Sequence, residues 1–165
     1  MNNPAPKPGR AAAASEFELE LFLPYRLSLL TNTVSQGIAH SYRDAYEISV
    51  PEWRILAVLG RFPGLTASEI TERTAMDKVT VSRAVKSLQE KDLLKRVTDP
   101  ADRRRMTLHI TPGPGQKVLQ AVVPLAQGYE KQLLSTLEPG EQEALIKIIK
   151  KLQTKATSLK LSDNP

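Results

Sequence analysis

Cysteine is absent from this chain of 165 residues, and histidine occurs only twice, at His40 and His109. Without cysteine there can be no disulfide, no thiolate nucleophile and no cysteine-containing zinc or iron–sulfur site. The two histidines lie far apart in the sequence, so a transition-metal centre would need a ligand set made of carboxylates. We therefore expect this protein to bind no metal and no cofactor.

Long apolar runs and enzyme motifs are also missing. No stretch approaches the roughly 20 apolar residues that span a bilayer, and the first residues show no export signal, so we expect a cytoplasmic protein with no membrane partner. The sequence contains neither a G-x-S-x-G motif nor a phosphate-binding glycine loop. These absences argue against an enzyme, and we assign no catalytic residues.

The positive charge of the chain is concentrated in one segment. The net charge is +5, and the segment from Asp77 to Arg105 holds nine basic and five acidic residues, so it carries four of those five charges. A basic chain has a raised chance of a polyanionic partner, and the clustering shows where such a partner would bind.

Composition and periodicity divide the chain into four segments. Residues 1–14 are rich in proline, glycine and alanine, and we expect them to form a disordered arm. An N-terminal helical segment follows at 15–47, predicted as one long helix from Glu16 to about Tyr46 that bends or restarts near Pro24. A central domain at 48–110 and C-terminal helices at 111–160 complete the chain.

Capping residues mark three helix starts in the central domain. Ser49 with Glu52 and Thr66 with Glu69 fit the S/T-x-x-E capping box, and Asp77 caps a third helix. The predicted helices run over 50–61, 66–74 and 77–90. Only two residues separate the last two helices, which predicts a helix-turn-helix.

After the third helix the pattern changes to strands. Leu93–Val97 and Arg105–Ile110 alternate in polarity around a turn at 99–102, which predicts a β-hairpin with a basic tip. Thr111 is the predicted cap of a helix that reaches about Leu137 and is kinked at Pro124, and the last helix covers about 139–159.

One face of the predicted helix 77–90 has the chemistry needed to read DNA. Val81, Ala84, Val85 and Leu88 share the apolar face, so the opposite face presents Lys78, Val79, Thr80, Ser82, Arg83 and Lys86. Arginine can pair with guanine, serine and threonine can bond bases or phosphates, and valine can touch a thymine methyl group. A solvated helix can look the same, but the helix-turn-helix before it and the basic hairpin after it favour DNA binding.

Between Val50 and Thr111 the chain carries the motifs P-E-W-R-I-L, T-A-S-E-I, D-K-V-T-V-S-R-A-V-K-S-L, D-L-L-K-R, D-P-A-D-R-R-R and L-H-I-T-P. This series resembles the MarR family of bacterial transcriptional regulators, and with the flanking helices the likeness covers about residues 16–160. D-L-L departs from the family's usual glycine-containing turn, and T-P-G-P-G is unusually rich in proline. The resemblance implies a mainly α fold with a small β-hairpin wing, that is, a winged helix-turn-helix plus N- and C-terminal dimerisation helices.

The resemblance also implies a homodimer on a pseudo-palindromic DNA operator, with recognition helices in the major groove and wing arginines in the minor groove. Lys78, Thr80, Ser82, Arg83 and Lys86 fall on DNA-contacting positions of the family, and Asp102, Arg103 and Arg104 fall on its wing motif. We expect Asp102 to orient a guanidinium, while either Arg103 or Arg104 enters the minor groove. The alternative for the terminal helices is that they complete a monomeric bundle.

A small-molecule effector is a further implication of the resemblance. The pocket would lie where the first helical segment meets the second, and the candidate residues there are His40, Tyr42, Arg43, Tyr46, Trp53 and Arg54. Cations among aromatic rings suit an aromatic carboxylate or its coenzyme A thioester. The same residues also fit a role in the core or in structural ion pairs.

The function that we infer from the sequence is a sequence-specific, ligand-released transcriptional regulator, a repressor. The alternative is an architectural DNA-binding protein without operator preference or ligand response.

Overall fold

The computed structural model describes residues 17–99 and 102–162, and in the last helix it describes side chains as far as Leu159. The predicted arm at 1–14 and the middle of the wing turn, at 100–101, lie outside these residues. Helices and strands follow one another as a single-turn 3-10 helix at Leu19–Leu21, α1 (Leu23–His40), α2 (Arg43–Tyr46), α3 (Val50–Arg61), α4 (Ala67–Thr74), α5 (Lys78–Glu90), β1 (Leu94–Thr98), β2 (Met106–Ile110), α6 (Pro114–Leu134) and α7 (Pro139–Ser162). The mainly α fold with a hairpin wing is confirmed.

The chain divides into two structural units between Gly37 and Ile38. The first unit holds most of α1, and the second runs from the end of α1 through α7. In the first unit, Phe17 and Phe22 pack edge to face with their ring centroids 5.2 Å apart. That contact fixes the short 3-10 turn against the start of α1.

The prediction of one helix from Glu16 to Tyr46 is wrong in its bounds. Pro24 lies in the first turn of α1, where a missing backbone N–H costs nothing, so the helix restarts there as expected. The second break was not predicted. Ser41 N–H and Tyr42 N–H bond the carbonyls of Ile38 and Ala39, three residues back, and these tight bonds end α1 before α2 begins.

The three predicted caps of the central domain are confirmed. Ser49 and Thr66 each accept the backbone N–H of the glutamate three residues on, and each glutamate accepts the cap residue's own N–H in return. Asp77 caps α5 by accepting the backbone N–H of Thr80 at 2.8 Å. Each cap satisfies N–H groups that the first helical turn leaves without partners.

The wing is an antiparallel pair in which Leu94 faces Ile110 and Thr98 faces Met106. A bridge from Leu65 to Leu108 joins this hairpin to the α3–α4 loop, with Leu108 N–H donating to the Leu65 carbonyl at 2.8 Å. The loop turns at Gly64, whose φ of +80° lies in the left-handed region that glycine adopts without strain. The base of the wing is therefore anchored in the same domain as the helices.

Helix α6 starts two residues later than the sequence suggested. The predicted helix began directly after Thr111, whereas α6 begins at Pro114 and ends at Leu134. The Thr111 hydroxyl still serves the helix start, because it accepts the backbone N–H of Gly115 at 2.9 Å while donating to the Asp92 carbonyl at 2.7 Å. Thr111 thus ties α6 to the turn before β1.

The core lies among α3, α4, α5, the wing and α6. Its largest fully buried aliphatic side chains are Ile48, Ile55, Leu56, Leu59, Ile70, Val81, Val85, Leu88, Leu108 and Val122. Burying each such side chain contributes about 1.5–3 kcal/mol. The four residues predicted for the apolar face of α5 are all buried, so the opposite face of that helix points outward.

Candidate nucleic-acid interface

The outward face of α5 carries the residues predicted to read DNA. Lys78, Val79, Ser82, Arg83 and Lys86 are exposed, and Thr80 is half-buried. Val79 is 58% exposed although it is aliphatic, so the centre of this face offers an apolar contact surrounded by hydroxyl and cationic groups. Such a mixture suits the edges of base pairs in the major groove.

Two of these residues also have contacts within α5. The Thr80 hydroxyl donates to Asp77 Oδ2 at 2.6 Å, which leaves its oxygen lone pairs as acceptors. The hydrogen bonds from the side chain and backbone of Thr80 lower the pKa of the Asp77 carboxyl below its usual value. Lys86 Nζ lies 3.7 Å from Glu90 Oε1, and both side chains are well exposed, so this ion pair is weak enough to give way to a phosphate.

The wing presents Arg103 and Arg104 as exposed side chains beside its turn. Backbone bonds from Asp99 N–H to the Arg105 carbonyl and from Arg105 N–H to the Asp102 carbonyl, both 2.9 Å, close the turn. The carboxylate of Asp102 accepts the backbone N–H of Arg104 at 2.9 Å. The carboxylate of Asp102 thus binds the backbone of an arginine, whereas we expected it to bind a guanidinium.

Arg105, the third arginine of the wing motif, contacts the helices and was not singled out from the sequence. Its Nη2 lies 3.2 Å from Glu69 Oε1 in α4, and its Nη1 lies 3.5 Å from Asp99 Oδ2. Hydrogen bonds from Thr66, together with Arg105, hold the pKa of Glu69 below its usual value. No sequence pattern pairs positions 36 residues apart, so only the fold identifies this contact.

Lys91 and Glu52 form a second contact that sequence analysis missed. Lys91 Nζ donates to Glu52 Oε1 at 2.8 Å, and the Glu52 side chain is only 5% exposed. Burial raises the pKa of Glu52, but hydrogen bonds from Lys91, Ser49 and Ser87 outweigh that effect and leave the pKa below its usual value. Glu52 is therefore a buried, ionised carboxylate.

The predicted effector residues lie between the end of α1 and the first half of α3, around the α2–α3 joint. Tyr42 is 1% exposed and its ring centroid lies 5.8 Å from that of Trp53. Tyr46, Trp53 and Arg54 are half-buried, whereas His40 and Arg43 are exposed. Of the six, only Arg43 lines the open depression of about 520 Å³ at this joint, whose other lining residues are Asp44, Glu47, Ile48, Ser49 and Glu52.

The Tyr42 hydroxyl is an unusual atom. Within residues 17–99 and 102–162 it is the buried side-chain polar atom that has no hydrogen-bond partner. Burial raises the pKa of this hydroxyl, although Arg43 and Arg54 act in the opposite direction. A buried hydroxyl without a partner costs free energy, so Tyr42 can gain from a ligand that reaches it.

Clusters of metal ligands and membrane-spanning helices are both missing from the described part of the chain. The residues there include no group of three or more histidine or acidic side chains able to hold a metal ion. None of the helices in that part is long and apolar enough to cross a membrane.

Comparison with known proteins agrees with this geometry. The model of the MarR family matches residues 46–105, which span the helix-turn-helix and β1 and end just before β2. Over these residues the chain matches the MarR family. Regulators of this family are non-enzymatic DNA-binding transcription factors, so the prediction of a non-enzyme is confirmed.

Relatives of this family match the chain over most of its length. The transcriptional regulator HosA of Escherichia coli is 24% identical over 123 residues, covering 74% of this chain and 90% of HosA. A solved MarR/EmrR family regulator from Acinetobacter sp. ADP1 superposes with a TM-score of 0.79 at 27% identity, covering 86% of this chain and 99% of its own. BpsR of Bordetella bronchiseptica, whose DNA binding is regulated by 6-hydroxynicotinic acid, superposes with a TM-score of 0.73 at 21% identity, covering 83% and 96% of the two chains.

Proposed function

We propose that this MarR-family regulator is a repressor that binds a pseudo-palindromic DNA operator through α5 and the wing. The observation that carries the proposal is the outward face of α5. Val79, Ser82 and Arg83 are exposed on this face, whereas the residues on the opposite face of the helix are buried. Arg83 reads a guanine edge, Ser82 and Thr80 bond bases or phosphates, and Lys78 and Lys86 contact the backbone.

The wing adds contacts on either side of the major-groove site. Arg103 and Arg104 are exposed at the turn, whereas Arg105 is occupied by Glu69 and Asp99. A narrow A·T-rich minor groove concentrates negative potential and attracts an inserted guanidinium. Arg103 or Arg104 supplies that guanidinium, and Asp102 shapes the turn through the backbone of Arg104.

We further propose that the regulator acts as a homodimer joined through its terminal helices. Helix α7 exposes large aliphatic side chains on one stripe, including Ile148 at 52%, Leu152 at 41% and Leu159 at 53%. In the first unit, Leu23, Leu27 and Leu30 of α1 are each more than 40% exposed. Exposed apolar stripes of this length are typical of subunit interfaces, and a two-fold dimer matches a two-fold symmetric operator.

A small effector releases the protein from DNA in this proposal. The joint between α2 and α3 brings together Arg43, Arg54 and the partnerless Tyr42 hydroxyl, which suits an aromatic carboxylate or its coenzyme A thioester. The regulation of BpsR by 6-hydroxynicotinic acid supports this class of effector. The coupling between effector and operator is expected to be about 1–3 kcal/mol. Operator DNA as the partner also agrees with the expected cytoplasmic location.

Selection of duplexes from a random pool tests the operator proposal. Repeated binding and amplification at fixed salt should enrich an inverted repeat with half-sites about one helical turn, roughly 10 bp, apart. An architectural DNA-binding protein would retain many unrelated sequences with similar affinity. If the selection enriches no motif, the result therefore contradicts the proposal and favours the architectural alternative.

A titration of the selected duplex complex tests the effector proposal. Benzoate, 6-hydroxynicotinic acid and benzoyl-coenzyme A are added to wild type, to Arg43→Ala and to the control Arg61→Ala at the far end of α3. We expect at least one compound to release DNA from wild type and the control, but not from Arg43→Ala. Equal release from all three proteins would remove Arg43 from the effector site.

A further inference from the structure

The carboxylate of Glu52 makes more contacts than a helix cap requires. Its Oε2 accepts the backbone N–H of Ser49 at 2.6 Å and the Ser49 hydroxyl at 2.7 Å, which completes the capping box of α3. Its Oε1 accepts Lys91 Nζ at 2.8 Å, and the Ser87 side chain supplies a further hydrogen bond. Lys91 and Ser87 both belong to the end of α5, so Glu52 joins the start of α3 to the recognition helix.

Lys91 extends this connection to a third element. It is the C-cap residue directly after α5, and its backbone N–H bonds the Ser87 carbonyl at 3.1 Å. Its ammonium also donates to the Glu47 carbonyl, at the end of α2, where the backbone turns with a φ of +51°. A cation at the last turn of a helix is favoured by the helix dipole. Glu52 and Lys91 together therefore hold the ends of α2 and α5 and the start of α3.

The two ends of α5 are held in different ways. At its start, Asp77 bonds within the first turn of the helix, to the backbone N–H and the hydroxyl of Thr80. At its end, Ser87 and Lys91 are bound to Glu52, which is 3% exposed. Because a buried carboxylate has few alternative positions and its hydrogen bonds are directional, this end of α5 is tied to α3 by polar contacts in addition to apolar packing.

The contact lies directly beside the face proposed to read bases. Ser49 and Glu52 line an open depression of about 460 Å³ together with Thr80, Arg83 and Ser87 of α5. Arg83 and Ser87 are one turn apart on the helix, so a rotation of α5 about its axis that releases Ser87 also moves Arg83. The position of the Arg83 side chain thus depends on the contact between Ser87 and Glu52.

We propose that Glu52 is a positioning residue for operator recognition, which orients α5 through Lys91 and Ser87 so that Arg83 meets its base. The inference rests on the proposed function, in which α5 reads DNA. Loss of the contact lowers the preference for the operator over other duplexes, in addition to any loss of stability.

The experiment compares two duplexes that share their flanks. One is the sequence selected by wild type, and the other has its major-groove positions scrambled while the flanking base pairs are kept. Affinity ratios are measured for Glu52→Gln, Lys91→Met, the double variant and Lys91→Arg. Glu69→Gln is the matched control, because it removes the same charge from the equivalent capping box of α4 and leaves Glu52, Ser87 and Lys91 unchanged. It also weakens the ion pair of Glu69 with Arg105 of the wing, but the flanking base pairs that the wing contacts are the same in both duplexes. Circular dichroism and thermal unfolding check that each variant is folded.

We expect Glu52→Gln and Lys91→Met each to lower the affinity ratio about tenfold, and the double variant to lower it no further, because residues sharing one contact are not additive. Lys91→Arg should restore the ratio, and Glu69→Gln should leave it unchanged. If Glu52→Gln does not fold, Lys91→Met carries the test, since it leaves the Ser49 bonds of the cap in place.

Two results would overturn the inference in different ways. Variants that are folded and keep the wild-type ratio, or that weaken binding to both duplexes equally, would show that the contact serves stability alone. A wild type that does not distinguish the duplexes would overturn the proposed function itself.

Discussion

The winged-helix domain and the last helix of the chain differ in what their apolar residues contact. Ile55, Leu56 and Ile70 of the domain are fully buried against neighbouring elements. In α7, by contrast, Gln142 is the only side chain from Pro139 to Leu159 that is even half-buried. The domain therefore contains its own core within one chain, whereas the apolar stripe of α7 is exposed in the single chain, as expected of the proposed dimer interface. Substitutions in the domain should change stability, and substitutions in α7 should change assembly.

The largest effect is expected where α6 packs on the domain. Gly115 is buried, and a Cβ added there would clash with the Leu93 carbonyl and lie 2.8 Å from both Thr111 Oγ1 and Ile110 Cγ2. Since the obstacle includes backbone, Gly115→Ala should lower the free energy of unfolding by about 3 kcal/mol. Gly113→Ala is the control, because nothing lies within 4 Å of its added Cβ. Similar urea midpoints for the two variants would contradict the packing described for this junction.

The second largest effect is expected on the exposed apolar stripe of α7. Ile148→Asp with Leu152→Asp places two charges on the apolar stripe of α7, and the dimer dissociation constant should rise about 100-fold or more, equal to about 2.7 kcal/mol. Lys150→Asp with Thr154→Asp puts the same charges on the opposite face and should leave the dimer intact. Sedimentation velocity measures both. A wild type that is monomeric at micromolar concentration would refute the assignment of the stripe to an interface.

Acid should weaken the domain through Glu52. The pKa of Glu52 is below its usual value of 4.5, so its stabilising contribution is fully present above that pH and is lost as the pH falls through the lower, folded-state pKa. Unfolding of wild type and Glu52→Gln is compared from pH 7 to pH 3. The stability difference between them should shrink below about pH 4.5. A difference that stays constant with pH would mean that Glu52 is not ionised in the folded protein.

The smallest effect is a gain of stability at the turn before the wing. Asp92 has a φ of +54°, and its contacts through the backbone, to Gln89 and Thr111, do not need a side chain. Asp92→Gly should therefore stabilise the domain by about 0.5–1 kcal/mol, and Asp92→Ala should destabilise it. Thermal unfolding distinguishes the two directions. Asp92 is the first residue of the D-L-L sequence, which departs from the usual pattern of the family that the chain resembles.

Local chemistry made the helix starts predictable. The caps at Ser49, Thr66 and Asp77 depend on residues three positions apart, and all three are in place. The break after His40 was missed because the apolar spacing continues through Ile38 and Tyr42. The start of α6 was misplaced because Thr111 caps Gly115 from four residues before it, outside the helix.

Contacts between distant segments could not be predicted. Lys91 meets Glu52 over 39 positions, and Arg105 meets Glu69 over 36, with nothing in either segment to indicate the other. The basic residues between Asp77 and Arg105 could not be told apart from the sequence. In the fold, Lys91 and Arg105 form ion pairs with Glu52 and Glu69, whereas Arg83 lies on the outward face of α5 and Arg104 lies beside the wing turn.

Arg83→Ala tests the central claim most directly, because Arg83 lies on the outward face of α5 and its loss leaves the buried face unchanged. Binding of wild type and variant is measured at fixed salt on the selected duplex and on its scrambled copy. The account predicts a loss of about 1–3 kcal/mol on the selected duplex, a much smaller loss on the scrambled one, and relaxed preference at one base position in each half-site. Equal losses on both duplexes would contradict it and reduce Arg83 to a phosphate contact.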